Sequence, residues 1–184
     1  ITRSCTKHNW LVSDVSELAT ILHEAFYVAR SGRPGPVVVD IPKDVQFARG
    51  RYVPPEHAPK RSKRLVRSVD QNRIEQAVEL MARARRPIFY TGGGVINAGP
   101  RASETLRALV RETQFPITST LMGLGAYPAS DPQWLGMLGM HGSWEANHAM
   151  HGCDLMICVG ARFDDRVTGR LDAFSPHSTK IHID

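Results

Sequence analysis

The chain has 184 residues, of which 42% are hydrophobic and 22% are charged. This composition is typical of a folded globular protein and excludes a disordered, collagen-like or coiled-coil chain. No apolar run approaches the roughly 18 residues that a membrane-spanning helix requires, so we expect no contact with a membrane. The chain starts without methionine and ends in a strand-like pattern at 181–184, and we therefore expect it to be a piece of a longer polypeptide.

The net charge of +5 comes from 23 basic and 18 acidic residues. Five of the basic residues lie within 60–67, which contains no acidic residue, and the rest of the chain carries 18 residues of each sign. A nucleic-acid site needs its positive charge on a folded face. Because the basic segment lacks aromatic residues and resembles a linker, we predict no nucleic-acid partner.

The three cysteines are Cys5, Cys153 and Cys158, an odd number without a C-x-x-C pair. This pattern predicts free thiols in a reducing compartment. The sequence shows no basic segment followed by an apolar one, so no signal peptide is recognisable. Both observations favour the cytoplasm.

The first part of the chain predicts one helix and one strand. Apolar residues recur at helical spacing over 14–30, and the continuous apolar run at 37–41 predicts a strand buried on both faces. Prolines and basic residues without periodicity follow. We therefore predict a linker at 51–68 between a partial α/β domain at 1–50 and a second domain at 69–184.

In the second domain, strands alternate with helices. We expect helices around 70–85, 102–110 and 143–151, strands at 88–91, 116–120, 154–159 and 180–184, and an apolar segment at 135–140. This alternation predicts an α/β fold, a parallel sheet with helices on both faces. Ligands bind such sheets beyond the carboxyl ends of the strands, where glycine-bearing turns are expected at 92–94, 139–142 and 160.

The first glycine turn admits two interpretations. Backbone without side chains between a strand and a helix lets phosphate oxygens approach amide N–H groups. However, Asn97 stands where the G-x-G-x-x-G pattern requires its third glycine. The turn at Gly92-Gly93-Gly94 therefore indicates either a phosphate contact or simply a tight turn.

The most informative segment follows the strand at 154–159, where Arg162 and Arg166 alternate with Asp164 and Asp165. Charges at the end of a buried strand are costly unless they are paired or face a ligand. Guanidinium groups bind phosphate or carboxylate with two parallel hydrogen bonds. This segment predicts an anion contact, with a surface salt-bridge cluster as the alternative.

Histidines on and before the helix at 143–151 also invite a functional interpretation. Glu145, His148 and His151 lack the H-E-x-x-H spacing, so we favour solvated helix residues and predict no metal site. His141 lies in a strand-end turn, and a ligand contact and a structural role stay equally open for it.

Five segments resemble the large, catalytic subunit of acetohydroxyacid synthase, also called acetolactate synthase, in the thiamine-diphosphate enzyme family. Four of them are 6–9, 31–44, 138–142 and 145–147. The fifth, at 160–169, contains R-F-D-D-R-V-T-G, which is the most specific of these motifs. The resemblance covers nearly the whole chain and is weakest in the predicted linker.

The resemblance implies the end of a pyrimidine-binding domain followed by most of a Rossmann-like, FAD-binding central domain. It implies decarboxylation of pyruvate and condensation with a second 2-keto acid, pyruvate or 2-ketobutyrate, in the synthesis of valine, leucine and isoleucine. Thiamine diphosphate and Mg²⁺ would be bound mostly by regions absent here, and no catalytic residue is expected within this chain. A homodimer or homotetramer with a regulatory small subunit is implied, in the bacterial cytoplasm or in an organelle if a transit peptide exists.

The resemblance also implies site residues. Arg166 would contact the carboxylate of the second 2-keto acid, Asp165 would position it, Met140 would shape the same pocket, and Lys7 would lie at the substrate-channel entrance. FAD would be lined by a larger set: Arg33, Gly92, Gly93, Gly94, Thr120, Leu138, Gly139, Met140, His141, Gly160, Ala161, Arg162, Asp164, Arg166, Val167 and Asp184. The alternatives are a non-catalytic dinucleotide-binding module and a related thiamine-diphosphate carboligase or oxidase.

Overall fold

The computed structural model describes residues 1–54 and 70–184, and the chain divides into two compact units, Ile1–Ser68 and Val69–Asp184. Most of the predicted linker at 51–68, including the basic run at 60–67, lies outside the described residues. No helix in the described ranges is both long enough and apolar enough to cross a membrane.

The first unit contains a two-stranded parallel sheet. Its elements are a 3-10 turn at Thr2–Ser4, β1 at Asn9–Leu11, a 3-10 turn at Val15–Glu17, α1 at Leu18–Arg30, β2 at Val38–Asp40 and α2 at Lys43–Phe47. β1 pairs with β2, and α1 connects them. The predicted helix and strand are present, whereas β1 and α2 were not predicted.

The sequence predicted that the strand at 37–41 is buried on both faces, and this is wrong for β2. Val38 and Val39 are half-buried and Asp40 is exposed. In the described residues β2 pairs only with β1, so its apolar residues are covered mainly by α1. A run of valines indicated a strand correctly, but the degree of burial depends on the layers packed around it.

The second unit has five parallel strands in the order β5-β4-β3-β6-β7. Its elements are α3 at Gln71–Arg83, β3 at Pro87–Thr91, α4 at Gly93–Asn97, α5 at Pro100–Thr113, β4 at Ile117–Ser119, a 3-10 turn at Leu121–Gly123, β5 at Trp134–Met137, α6 at Trp144–Gly152, β6 at Leu155–Val159, α7 at Asp165–Thr168 and β7 at Thr179–Ile183. The predicted α/β fold with a parallel sheet is confirmed.

Alternation along β3 divides the core between the two faces of this sheet. Ile88 and Tyr90 pack with Ala146 and Met150 of α6, whereas Phe89 packs with Leu106 and other residues of α5. All of these side chains are at most 4% exposed. Helices therefore cover both faces, as the hydrophobic pattern predicted.

The strand order creates a switch point between β3 and β6. From β3 the chain moves outward to β4 and β5, and it then returns to the other side of β3 to form β6 and β7. At such a switch point the connections run to opposite faces of the sheet, and open α/β sheets commonly bind ligands there, beyond the carboxyl ends of the strands. The fold therefore marks the place where a ligand is expected.

The opposite, amino-terminal edge of the sheet is fixed by Asp154. Its carboxylate oxygens accept hydrogen bonds from the backbone N–H groups of Arg85 and Arg86, at 2.8 and 2.9 Å. Partial burial opposes ionisation, but these hydrogen bonds hold the pKa of Asp154 below its ordinary value. The side chain thus ties the start of β6 to the turn that precedes β3.

The cysteines are free, as predicted. Cys5 is exposed, whereas Cys153 and Cys158 are buried in the second unit. Burial raises the pKa of the Cys158 thiol to about 12. Both buried cysteines therefore act as packing residues.

Candidate functional site

The predicted FAD residues of the second unit lie at one edge of the sheet. Because all five strands are parallel, their carboxyl ends share that edge. Gly92–Gly94 follow β3, Thr120 follows β4, Leu138–His141 follow β5, Gly160–Val167 follow β6 and Asp184 follows β7. The fold thus gathers residues that are far apart in the sequence.

The glycines at the switch point let two turns touch. The Gly92 N–H donates to the carbonyl of Val159 and the Gly94 N–H donates to the carbonyl of Gly160, both at 2.9 Å. A Cβ atom added to Gly160, whose φ is +62°, would lie 2.7 Å from the backbone nitrogen of Val95. The glycines are therefore required for close packing of the turns, which supports the tight-turn interpretation. A contact between these glycines and FAD stays a prediction.

The charged segment after β6 is organised by Asp164. This carboxylate caps α7 by accepting from the Arg166 N–H at 3.2 Å, and it pairs with the guanidinium of Arg162. The hydrogen bond from the Arg166 N–H, together with hydrogen bonding to Asp165 and the charges of Arg162 and Arg166, lowers the pKa of Asp164. Asp164 is thus ionised at neutral pH.

The two arginines of this segment differ in their surroundings. Arg162 has its carboxylate partner, so the salt-bridge alternative describes that residue. The exposed Arg166 forms no ion pair with any residue in the described ranges. A guanidinium in this position could bind an anion from outside the chain, and that role of Arg166 stays a prediction. Asp165 is exposed beside it.

Phe163 anchors the charged segment and was not recognised in the sequence. It adopts a positive φ of +55°, which is uncommon for a bulky residue. Its ring makes edge-on contacts with Tyr90, at a centroid distance of 5.6 Å, and with His182, at 5.2 Å. His182 in turn bonds the carbonyl of Ala161 at 2.8 Å. The presence of an aromatic residue between charged residues could have predicted that Phe163 is packed against the fold.

The turn after β5 is connected directly to this segment. The Met140 N–H donates to the carbonyl of Arg166 at 2.9 Å, while the Met140 side chain is 62% exposed. Gly139 is held by both polar atoms of the Asn147 side chain. The sequence reasoning predicted Met140 and Gly139 as site residues but assigned no role to Asn147.

The chemistry of this edge fits a flavin dinucleotide. Arg166, and Arg162 where its pairing with Asp164 allows, would provide positive charge for a diphosphate, and the Asp184 carboxylate would offer an acceptor for sugar hydroxyls. Exposed apolar side chains at the same edge, Leu121 and Met122, would suit a flat aromatic ring system. Neither of these two residues was predicted from the sequence.

Lys7 and Arg33 lie in the first unit. The Lys7 ammonium donates to the carbonyls of Val28 and Ser31, at 2.6 and 2.5 Å, near the end of α1. This contact gives Lys7 a structural role in holding the turn that carries Arg33. Arg33 is exposed, and the substrate and FAD roles of the two residues stay predictions.

The histidines of α6 are not arranged around a metal ion. Glu145, His148 and His151 are exposed, and the His148 ring stacks on Trp144 at 4.7 Å. Within the described part of the chain, no group of three or more His, Cys, Asp or Glu side chains could hold a metal. His141 is exposed in the turn after β5.

Comparison with known proteins gives the family. The sequence profile described as "Thiamine pyrophosphate enzyme, central domain" matches residues 74–184. The chain is 50% identical over 98% of its length to the acetolactate synthase isozyme 2 large subunit of Escherichia coli (strain K12), and 47% identical over its full length to acetolactate synthase 3, chloroplastic, of Brassica napus. It spans 32% and 28% of the lengths of these two relatives. The resemblance found in the motifs is confirmed, and the chain belongs to the thiamine pyrophosphate enzyme family, with residues 74–184 in its central domain.

Proposed function

We propose that this chain is part of the large subunit of an acetolactate synthase. Such an enzyme decarboxylates pyruvate and joins the remaining two carbons to pyruvate or 2-ketobutyrate, in the synthesis of branched-chain amino acids. The observation that carries the proposal is the 50% identity to an acetolactate synthase large subunit over 98% of the chain. Arg166, which has no ion-pair partner among residues 1–54 and 70–184, would supply the positive charge that the carboxylate of the second keto acid needs.

Arg166 would bind the carboxylate of the acceptor keto acid. A planar guanidinium with a permanent charge matches a carboxylate with two parallel hydrogen bonds. Asp165, next to it at the start of α7, would orient this guanidinium. Met140, joined to the Arg166 carbonyl through its N–H, would contact the alkyl end of the acceptor. This division of roles separates recognition of the acid group from recognition of chain length.

The same edge would hold FAD through those predicted residues that belong to the second unit. Arg162 would face the diphosphate, Asp184 would accept from a sugar hydroxyl, and the turns after β3, β4 and β5 would border the rings. When bound, thiamine diphosphate with Mg²⁺ supplies the electron sink for decarboxylation. We assign no residue of this chain to holding either of these two groups.

We further propose the domain layout and assembly that the resemblance implies. Residues 1–50 would end a pyrimidine-binding domain, 51–68 would link it to the central domain, and 69–184 would form most of that domain. Large subunits would associate as a homodimer or homotetramer with a regulatory small subunit. The compartment would be the cytoplasm in a bacterium or an organelle in a plant, since the relative from Brassica napus is described as chloroplastic.

The test is product formation by the full-length polypeptide with thiamine diphosphate, Mg²⁺ and FAD. We expect acetolactate from pyruvate alone and acetohydroxybutyrate when 2-ketobutyrate is added. Arg166→Ala should raise the KM for the acceptor by about 30-fold or more, since a charged hydrogen-bonded contact is worth about 2 kcal/mol or more. Arg170→Ala is the matched control, because Arg170 is exposed and pairs with Asp172.

The outcomes separate the competing functions. A different product from pyruvate would identify a related carboligase or oxidase. FAD binding without any product would identify a non-catalytic dinucleotide-binding module. Equal kinetics of Arg166→Ala and Arg170→Ala would refute the role given to Arg166.

A further inference from the structure

Asn147 clamps the turn that follows β5. Its side-chain oxygen accepts from the Gly139 N–H at 2.8 Å, and its side-chain nitrogen donates to the Gly139 carbonyl at 3.0 Å. Both polar ends of one amide are therefore engaged by the backbone of a single residue. The pattern reproduces the pair of hydrogen bonds that two antiparallel residues exchange.

Gly139 depends on this clamp because no side chain can hold it in place. Its φ of +99° lies in the region that favours glycine, and a Cβ atom there would lie 2.7 Å from the Arg166 carbonyl oxygen. A glycine has more backbone freedom than any other residue. Hydrogen bonds to its neighbours, including the Gly142 N–H, must therefore fix its conformation.

The clamped residue lies directly before a residue that touches the charged segment. The Met140 N–H donates to the Arg166 carbonyl at 2.9 Å. A rotation at Gly139 would therefore shift Met140 relative to Arg166. These are the two residues to which the proposed function gives the alkyl end and the carboxylate of the acceptor.

The side chain of Asn147 does not contribute to the buried contacts that pack α6 against the sheet. It is exposed, whereas Ala146 and Met150 fill the core beneath α6. Ser143 caps the helix by accepting from the Ala146 N–H at 3.2 Å. Replacing Asn147 therefore removes the clamp but leaves the buried contacts and the cap of α6 in place.

We propose that Asn147 is a positioning residue that sets the acceptor specificity of this site by fixing Met140 against Arg166. The inference rests on the proposed function. Pyruvate and 2-ketobutyrate differ by one methylene, and a pocket discriminates such a pair by about 10- to 200-fold at most. A small displacement of Met140 is therefore enough to change the discrimination.

The experiment compares Asn147→Ala, Asn147→Asp and the control His151→Ala in the full-length enzyme. His151 lies one helical turn further along α6 and is also exposed. We measure the ratio of the two products with mixed acceptors, kcat and KM for each acceptor, and hydrogen–deuterium exchange at residues 138–142.

Asn147→Ala should speed exchange of the Gly139 amide roughly tenfold. It should also change the product ratio through the KM for 2-ketobutyrate, by about threefold or more, with kcat for pyruvate alone changed less. Asn147→Asp keeps an acceptor for the Gly139 N–H but places a carboxylate against the Gly139 carbonyl, so the ratio should not be restored. His151→Ala should match the wild type in all of these measurements.

Unchanged exchange in Asn147→Ala would overturn the clamp. Faster exchange with an unchanged product ratio and unchanged KM values would overturn the specificity role. A wild-type enzyme that forms no acetolactate would instead refute the proposed function, and the exchange measurement would still decide whether the clamp exists.

Discussion

Gly160→Ala should be one of the most damaging single-methyl additions in the second unit. A methyl group at this position would lie 2.7 Å from the Val95 nitrogen and 2.8 and 2.9 Å from two Gly94 backbone carbons. Backbone atoms cannot rotate away, so overpacking should cost about 1–3 kcal/mol. The φ of +62° adds about 1–2 kcal/mol for a residue with a Cβ. After subtracting about 0.4–1 kcal/mol for the stiffer unfolded chain, the net loss should be about 1–5 kcal/mol, centred at about 3 kcal/mol.

Substitutions at two other glycines of the second unit distinguish the cost of backbone strain from the cost of close contact. Gly125 has a φ of +92° but open space around its Cβ position, so Gly125→Ala should lose only about 1 kcal/mol from backbone strain. Gly152, at the end of α6, has open space and no positive φ. Gly152→Ala should therefore change stability by at most about 1 kcal/mol, in the stabilising direction.

The assay is urea unfolding followed by tryptophan fluorescence in a Trp10→Phe background. The remaining tryptophans, Trp134 and Trp144, both lie in the second unit, so the signal reports that unit alone. The free energy of unfolding follows from the midpoint and the slope of each transition. If Gly160→Ala is no less stable than Gly125→Ala, close contact between the two turns is not the reason for glycine, and our account of the switch point is refuted.

Two further predictions concern the other buried contacts of this unit. Asp154→Asn should lower the free energy of unfolding at pH 7 by about 1–2 kcal/mol, because the amide nitrogen that replaces one carboxylate oxygen cannot accept, so one of the two backbone N–H groups loses its acceptor. Because the folded-state pKa of Asp154 is lowered, its ionised side chain contributes to the free energy of unfolding above about pH 4, and this contribution is lost as the pH falls through the folded pKa. If the urea midpoints of wild type and Asp154→Asn differ equally at pH 7 and at pH 2, this expectation is contradicted. An aromatic disulfide reagent should modify only Cys5 in the native chain and all three cysteines after unfolding. The reason is that the thiols of Cys153 and Cys158 are buried and their pKa values are raised. Rapid reaction of more than one native thiol would show that this burial is wrong.

The parts of the fold that sequence reasoning predicted are those with a long repeating pattern. Apolar spacing of three and four residues located α1, α3 and α5, and short apolar runs between turns located β3 and β6. The alternation of these elements predicted that the strands are parallel, but it did not predict their order in the sheet. By contrast, β1 has three residues, Asn9–Leu11, which is too short for an alternation to be recognised.

The site was predicted at the level of turns but not of contacts. The glycines and charges that follow apolar runs were expected at one edge of the sheet, and they lie there because parallel strands end together. The pairing of Arg162 with Asp164, which leaves Arg166 without an ion pair among the described residues, depends on side-chain geometry that spacing does not encode. The positive φ of Phe163 accompanies ring contacts with residues distant in the sequence, and no local sequence preference predicts it.

The turns after β5 and β6 meet although their strands are not neighbours in the sheet. In the sheet, β4 and β3 lie between β5 and β6, so at about 4.8 Å per strand these two strands are about 14 Å apart. Nevertheless the Met140 N–H reaches the Arg166 carbonyl, and Leu138 and Val167 pack into the same core cluster on the α6 face. The two turns therefore lie against each other along the α6 side of the sheet edge. Because this contact is made by backbone atoms, the side chains of Met140 and Arg166 are not consumed by it, and both are exposed. Their spacing is therefore set by the backbone of the two turns, which is what the proposed roles of these two residues require.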